Sequence, residues 1–226
     1  MATQTPNARS AARREEKEAE RRAQAKRQRL IYGAVGAVLL LIIVVVAVAT
    51  VGETDDRIRL SDIVGSPQIE GDPLPPLPEE GDDPAIGMTA PVLDGTDLDG
   101  APIIVGDGAQ VVSFVAHWCP ACDAELPEVA AWHNGGGPPE GVDLVLVSTN
   151  MDDSRTGWPP SAWFADAGYT GDVLMDDGNS SSFQAYGLRA TPSWVVINDA
   201  GEVLFRASGM LDPAQFDVLG ELAATG

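Results

Sequence analysis

The chain has 226 residues and two cysteines, which lie three positions apart as Cys119-Pro120-Ala121-Cys122. Thiols at this spacing can close a small disulfide without moving the rest of a fold. An apolar, β-branched run, Val111-Val112-Ser113-Phe114-Val115, leads into them, and a helix-like segment follows. Cys119 is therefore expected at or just before a helix N-terminus. Unpaired backbone N–H groups there favour the negative form of the sulfur. The thiolate is the nucleophile of thiol–disulfide exchange, and C-x-x-C motifs depress a thiol pKa in this way. The expected roles are Cys119 as attacking thiolate and Cys122, one turn deeper, as the thiol that resolves the mixed disulfide. Pro120 suits the first helical turn, where its missing N–H would be unpaired anyway.

Other uses of the pair fit less well. A zinc site wants four ligands, and the only histidines to join the thiols are His117 and His133. A purely structural bridge over two intervening residues would close a tiny loop and remove little chain entropy.

A second motif lies downstream: Arg189-Ala190-Thr191-Pro192, then the strand-like run Ser193-Trp194-Val195-Val196-Ile197. A proline cannot sit inside a central strand but can begin one. A Thr-Pro bond at that point is a candidate for the cis form, which folded proteins keep at few positions. With both motifs in this order, the chain resembles the thioredoxin superfamily. In its details it is most similar to the membrane-anchored TlpA/ResA-like group. The resemblance covers roughly residues 87–226. It implies an α/β thioredoxin-like fold, a central mixed sheet flanked by helices. It also implies a site made of the thiols Cys119 and Cys122 with Trp118, Thr191 and Pro192 against the substrate chain. Pro127 stands where thioredoxins kink the active-site helix. Asp199-Ala200-Gly201 separates two strand-like runs, and Gly209 follows the hairpin they form.

One departure matters. Thioredoxins keep a buried Asp six residues before the first Cys as proton acceptor for the second, and this chain has Ser113 there. Some TlpA/ResA-like proteins use a carboxylate after the next strand. By that resemblance Asp153, or less readily Asp152, is the candidate proton acceptor. Both also read as turn residues with solvated charge. His117 would tune Cys119 if charged, but an exposed rim position is the preferred reading. Trp132, His133, Trp158, Trp163 and Phe164 read as surface or packing residues. No metal and no organic cofactor is expected, the redox group being the Cys119–Cys122 disulfide. The Pro-x-x-x-Thr-x-x-Cys pattern of this superfamily's peroxidases does not precede Cys119.

From Leu30 to Val51 there is no ionisable side chain apart from Tyr32. At the helical rise this run reaches roughly 33 Å, enough to cross a bilayer's hydrocarbon core. Arg21, Arg22, Lys26, Arg27 and Arg29 precede it, so the positive-inside rule puts the N-terminus in the cytoplasm and the rest outside. A signal peptide's apolar core is shorter, about 7–15 residues, which favours an uncleaved anchor. Residues 1–29 hold nine Lys/Arg and four Glu, whereas the chain as a whole carries −20, leaving about −25 on the rest. So acidic a portion argues against nucleic-acid partners and against anionic lipid heads. Outside the membrane disulfides persist, so the expected partners are thiols and disulfides of exported proteins. A membrane or soluble redox partner would supply or accept electrons.

The expected organisation is a charged cytoplasmic arm (1–29), a transmembrane helix (30–51), a Pro-rich acidic linker (52–86) and the thioredoxin-like domain (87–226). Within the domain, strands are expected at 111–116, 143–148 and 173–175. Helices are expected at about 120–133, 161–167 and 179–186, then a hairpin of 193–198 with 202–207. A last helix should open at Asp212-Pro213. The function that follows is an extracytoplasmic thiol–disulfide oxidoreductase, read as a protein disulfide reductase. The alternatives are a thiol oxidase for exported proteins and a client-binding module without turnover. Pro120-Ala121 does not fix the direction of electron flow.

Overall fold

In the computed structural model, the described residues are Arg59 and 63–226. The charged arm 1–29 and the apolar run 30–51 lie outside them. Among the described residues, no helix is long and apolar enough to cross a membrane.

The central element is β4 (Gln110–Val115), buried at every position. Its unbroken apolar run reads as a strand covered on both faces. Parallel neighbours stack on one side, β5 (Asp143–Ser148) and then β6 (Asp172–Met175). Antiparallel neighbours stack on the other, β7 (Ser193–Ile197) and then β8 (Val203–Ser208). The order β6-β5-β4-β7-β8 makes a mixed five-stranded sheet. Four helices punctuate it: α1 (Pro120–Asn134), α2 (Pro160–Asp166), α3 (Ser181–Ala185) and α4 (Pro213–Thr225). A capping box, Asp212 with Gln215, opens α4.

Side chains alternate across β4, so two cores form. On one face Val111 and Val115 pack with Leu126 and Val129 of α1, Trp194 of β7, and Phe216 and Leu219 of α4. On the other, Val112 and Phe114 pack with Val145, Phe183, Tyr186 and Val195. The cysteines belong to the first core.

The second face is closed by a segment expected to be linker. From residue 63 on, the stretch assigned to 52–86 is packed against the domain. Its strand β1 (Gln68–Glu70) pairs with β2 (Val92–Thr96), which pairs in turn with β3 (Pro102–Val105). Leu74 and Ala85 are buried in the second core. The proline-rich stretch keeps its backbone paired, with Leu74 N donating to Ala185 O and Leu77 N to Gly187 O. Gly187 has φ +65, and a Cβ there would overlap Pro75 O, so the strap's close approach requires glycine. Arg206 of β8 fastens it. Its guanidinium is bidentate on Asp83 and donates to Pro75 O and Tyr186 O. Burial would raise the Asp83 pKa, but the Arg206 guanidinium and the Ala85 N–H hold it below the usual carboxylate value. A polyproline composition reads as free spacer when chain length and composition are all that is visible. Apolar residues at 69, 74, 77 and 85 give it a face to bury.

Candidate active site

The β4–α1 junction sets the thiols. Cys119 N donates to Ala116 O at 2.9 Å, closing a turn at the end of β4. Cys119 is then the N-cap of α1, in extended conformation, with Pro120 opening the helix. Its sulfur accepts from Cys122 N at 3.4 Å. As a thiol it donates to Thr191 O at 3.2 Å. Both cysteines are free; Cys119 is 7% exposed and Cys122 1%.

The two thiols are shifted in opposite directions. Burial alone would raise Cys119. The Cys122 thiol, the Thr191 side chain and the N–H groups of Cys122 and Ala121 outweigh it, so Cys119 lies below an ordinary thiol. Burial pushes Cys122 up to about 12, and a Cys119 thiolate beside it adds to the rise. The helix N-terminus therefore favours charge on one sulfur and the interior withholds it from the other.

Pro192 begins β7 through a cis Thr191–Pro192 peptide. Gly209 N donates to Pro192 O at 2.8 Å, which ties the turn to the end of β8. Thr191 thus faces Cys119 with its backbone. Trp118, immediately before Cys119, donates its indole N–H to Asn150 O at 2.6 Å. Asn150 has φ +48 and is held by Ser180, whose hydroxyl accepts from Asn150 N and donates to its side-chain oxygen. Arg155 lies over the Trp118 ring, 4.5 Å from its centroid.

His117 is not an exposed rim residue. It is 2% exposed. Its Nδ1 is 2.7 Å from Thr156 O, and its Nε2 accepts from Asp152 N at 3.2 Å. Those two contacts require a neutral ring with the proton on Nδ1. Burial holds the His117 pKa below its ordinary value, against the pull of Thr156 O and Asp152. The ring therefore fastens the loop 150–157 to the end of β4. Gly157 (φ +75) closes against His117 O, where a Cβ would overlap. A histidine next to an exposed-looking tryptophan reads as a rim residue because the loop that covers it lies more than 30 positions away.

Ser113 is fully buried, and its hydroxyl has no polar partner among the described residues. Asp153 is exposed, on the loop after β5, and Asp152 accepts from Ser154 and Arg155. A different carboxyl lies on α1 itself. Glu125 is 2% exposed and one turn beyond Cys122, at the i,i+3 spacing that makes helical neighbours. It accepts from Leu211 N at 2.6 Å and Trp194 Nε1 at 3.3 Å. Burial raises it to about 6, with both hydrogen bonds opposing. Sequence reasoning passed over Glu125. The available signal was its spacing, C-x-x-C-x-x-E, which puts a carboxyl on the buried stripe of the helix.

The chain is 27% identical to the thiol-disulfide oxidoreductase ResA of Halalkalibacterium halodurans over 113 residues, 48% of this chain. The match spans 60% of that relative's length. The thioredoxin domain of a thiol-disulfide oxidoreductase from Bacteroides vulgatus superposes with a TM-score of 0.51 at 16% identity, over 62% of this chain and 99% of that one. That likeness is one of fold. Residues 82–218, more than half of the chain, match Redoxin, and the chain belongs to the Redoxin family, built on the thioredoxin fold.

Proposed function

We propose that the protein is a thiol–disulfide oxidoreductase acting as a protein disulfide reductase through the Cys119–Cys122 dithiol. The observation that carries the dithiol chemistry is geometric: Cys119 caps α1 facing Thr191 O, with Cys122 buried one turn behind it, and the opposed acidity of the two thiols agrees with that placement. One is poised to attack while the other is held back as a protonated thiol. In the first step the Cys119 thiolate attacks a substrate disulfide, with the substrate chain lying along Thr191 and Pro192 and against Trp118. One substrate half leaves as a thiol, and the other stays bonded to Cys119. Cys122 then gives up its proton and attacks the Cys119 sulfur. The second half leaves, and the pair is oxidised by two electrons.

Glu125 is the proton acceptor in this reading, in place of Asp153. It is buried on the same helix face as Cys122, and near its pKa of about 6 it can both take and release a proton. The chain is anchored by residues 30–51 and works outside the membrane on exported proteins. The apolar length and the basic flank of that run support this. A membrane or soluble partner restores the dithiol.

The test is the Cys119–Cys122 reduction potential, measured by equilibration with dithiothreitol, together with turnover of a protein disulfide. A potential near roughly −250 mV or below supports the reductase. One near roughly −120 mV would instead make the protein an oxidant of exported thiols. Client binding and function that survive Cys119→Ser, with no disulfide turnover in the unsubstituted chain, would leave only a client-binding module.

A further inference from the structure

Beside Cys119 lies a cavity of about 590 Å³ whose lining does not include Thr191 or Pro192. Trp118, Pro120 and Asp123 wall it from the start of α1, Thr156 from the loop, and Trp163 and Asp166 from α2. Three features make it a built site rather than a surface hollow. It opens on the attacking thiol. Its near carboxylate is held in place, since Trp163 Nε1 donates to Asp123 Oδ1 at 2.9 Å. The loop that forms its wall is fastened through the buried His117 ring.

The charge of the cavity is one-sided. Asp123 and Asp166 both line it and are both exposed, and among the described residues no Lys or Arg lines it. Arg155, on the same loop, is not among the lining residues; it is paired with Asp152 and lies over the Trp118 ring at the cavity's edge. A substrate whose reacting sulfur meets Cys119 therefore places its neighbouring groups in a pocket with two negative charges and an aromatic wall. An ammonium or guanidinium is attracted there and a carboxylate repelled.

We propose that this cavity selects the substrate: the enzyme prefers disulfides that carry a cationic group close to the reacting sulfur, such as a Lys or Arg beside the substrate cysteine. The inference rests on the oxidoreductase reading and deepens it. The chemistry is unchanged. The Cys119 thiolate displaces one half of the disulfide as a thiol, Cys122 displaces the other, and two electrons pass from the enzyme dithiol to the substrate. Selection acts on the encounter and on the first displacement.

The test uses the full-length chain in neutral detergent, prereduced and mixed with three small disulfides. These are cystamine (dicationic), 2-hydroxyethyl disulfide (neutral) and dithiodiglycolate (dianionic). Rates are read by tryptophan fluorescence as the enzyme oxidises, and each is divided by the rate of free dithiothreitol with the same disulfide to remove intrinsic reactivity. The expected normalised order is cystamine, then neutral, then dianionic. The cystamine-to-neutral ratio should be on the order of three- to tenfold at low salt, as expected for two partly screened carboxylates. The ratio should fall toward one at high salt and in Asp123→Asn/Asp166→Asn. Removing carboxylates also changes Cys119 acidity, but that affects all three disulfides alike and cancels in the ratio. Asp166→Lys leaves one negative and one positive charge in the pocket, so it should also bring the ratio toward one, without touching the Asp123–Trp163 hydrogen bond. Equal normalised rates for all three disulfides, insensitive to salt, would overturn the inference and leave the oxidoreductase standing. No reaction with any of them would remove both.

Discussion

Both faces of the central sheet are covered by buried apolar clusters, yet they hold different kinds of buried polar group. The face under α1 and α4 buries Cys122 and Glu125, and His117 is buried beyond the end of β4 under the loop 150–157; each can change protonation within an ordinary pH range or by exchange chemistry. Burial shifts all three toward their neutral forms. The opposite face is closed by the strap 68–86, and its main buried charge, Arg206, is matched to Asp83 and two carbonyls. A matched buried pair fixes geometry. Unmatched buried acids and thiols instead keep a proton available. One face is thus arranged to hold and the other to react.

The largest expected effect separates the two thiols. Cys119→Ser should abolish disulfide reduction, with loss limited only by assay background. Cys122→Ser should keep the first displacement and accumulate a mixed disulfide through Cys119, visible by non-reducing electrophoresis and mass spectrometry. If Cys119→Ser accumulated that adduct instead, the assignment of roles would be reversed.

The next prediction concerns the holding face. Arg206→Met strands the Asp83 carboxylate and frees Pro75 O and Tyr186 O. Asp83 is only part-buried and can be rehydrated, so the loss should fall below the ~3–5 kcal/mol of a fully buried pair broken on one side, measured by urea unfolding. The reactivity of Cys119 toward a neutral disulfide should change little while the variant is folded, because Arg206 belongs to the other face. A comparable loss of thiol reactivity in the folded variant would mean that the faces are coupled.

Smaller effects should appear in the pH dependence of stability. Glu125 has a raised folded pKa, so its contribution is complete below about 4.5 and is lost as pH rises through about 6. His117 has a lowered folded pKa, so its contribution is complete above 6.5 and is lost as pH falls below that value. The two oppose one another across that window, and the wild-type profile should be shallow there. Glu125→Gln keeps an acceptor for Trp194 and Leu211 and should leave a profile that falls toward acid. His117→Asn should leave one that falls toward neutral pH. Profiles that match the wild type in both variants would mean that neither group is coupled to folding.

Much of this was legible in the sequence where the signal is local. The unbroken run before Cys119 gave the central strand, and Pro120 and Asp212-Pro213 gave two helix starts. Thr191-Pro192 before an apolar run gave the opposite wall of the site. What stayed hidden depends on contacts between distant segments. His117 looks like a rim residue until the 150–157 loop folds over it. The stretch 63–86 looks like spacer until Gly187 and Arg206 give it a seat. Glu125 looks like one more acid in an acidic chain until α4 and β7 bury it. Spacing places a side chain on a helix face, but only tertiary packing decides whether that face keeps its water.

The most direct test of the account is the alkylation rate of the reduced full-length chain as a function of pH, with each cysteine resolved by mass spectrometry. The account predicts that Cys119 alone is modified, along a single titration below the ordinary thiol pKa, while Cys122 stays unmodified well into the alkaline range. Equal modification of both cysteines at an ordinary thiol pKa, or earlier reaction of Cys122, would contradict it.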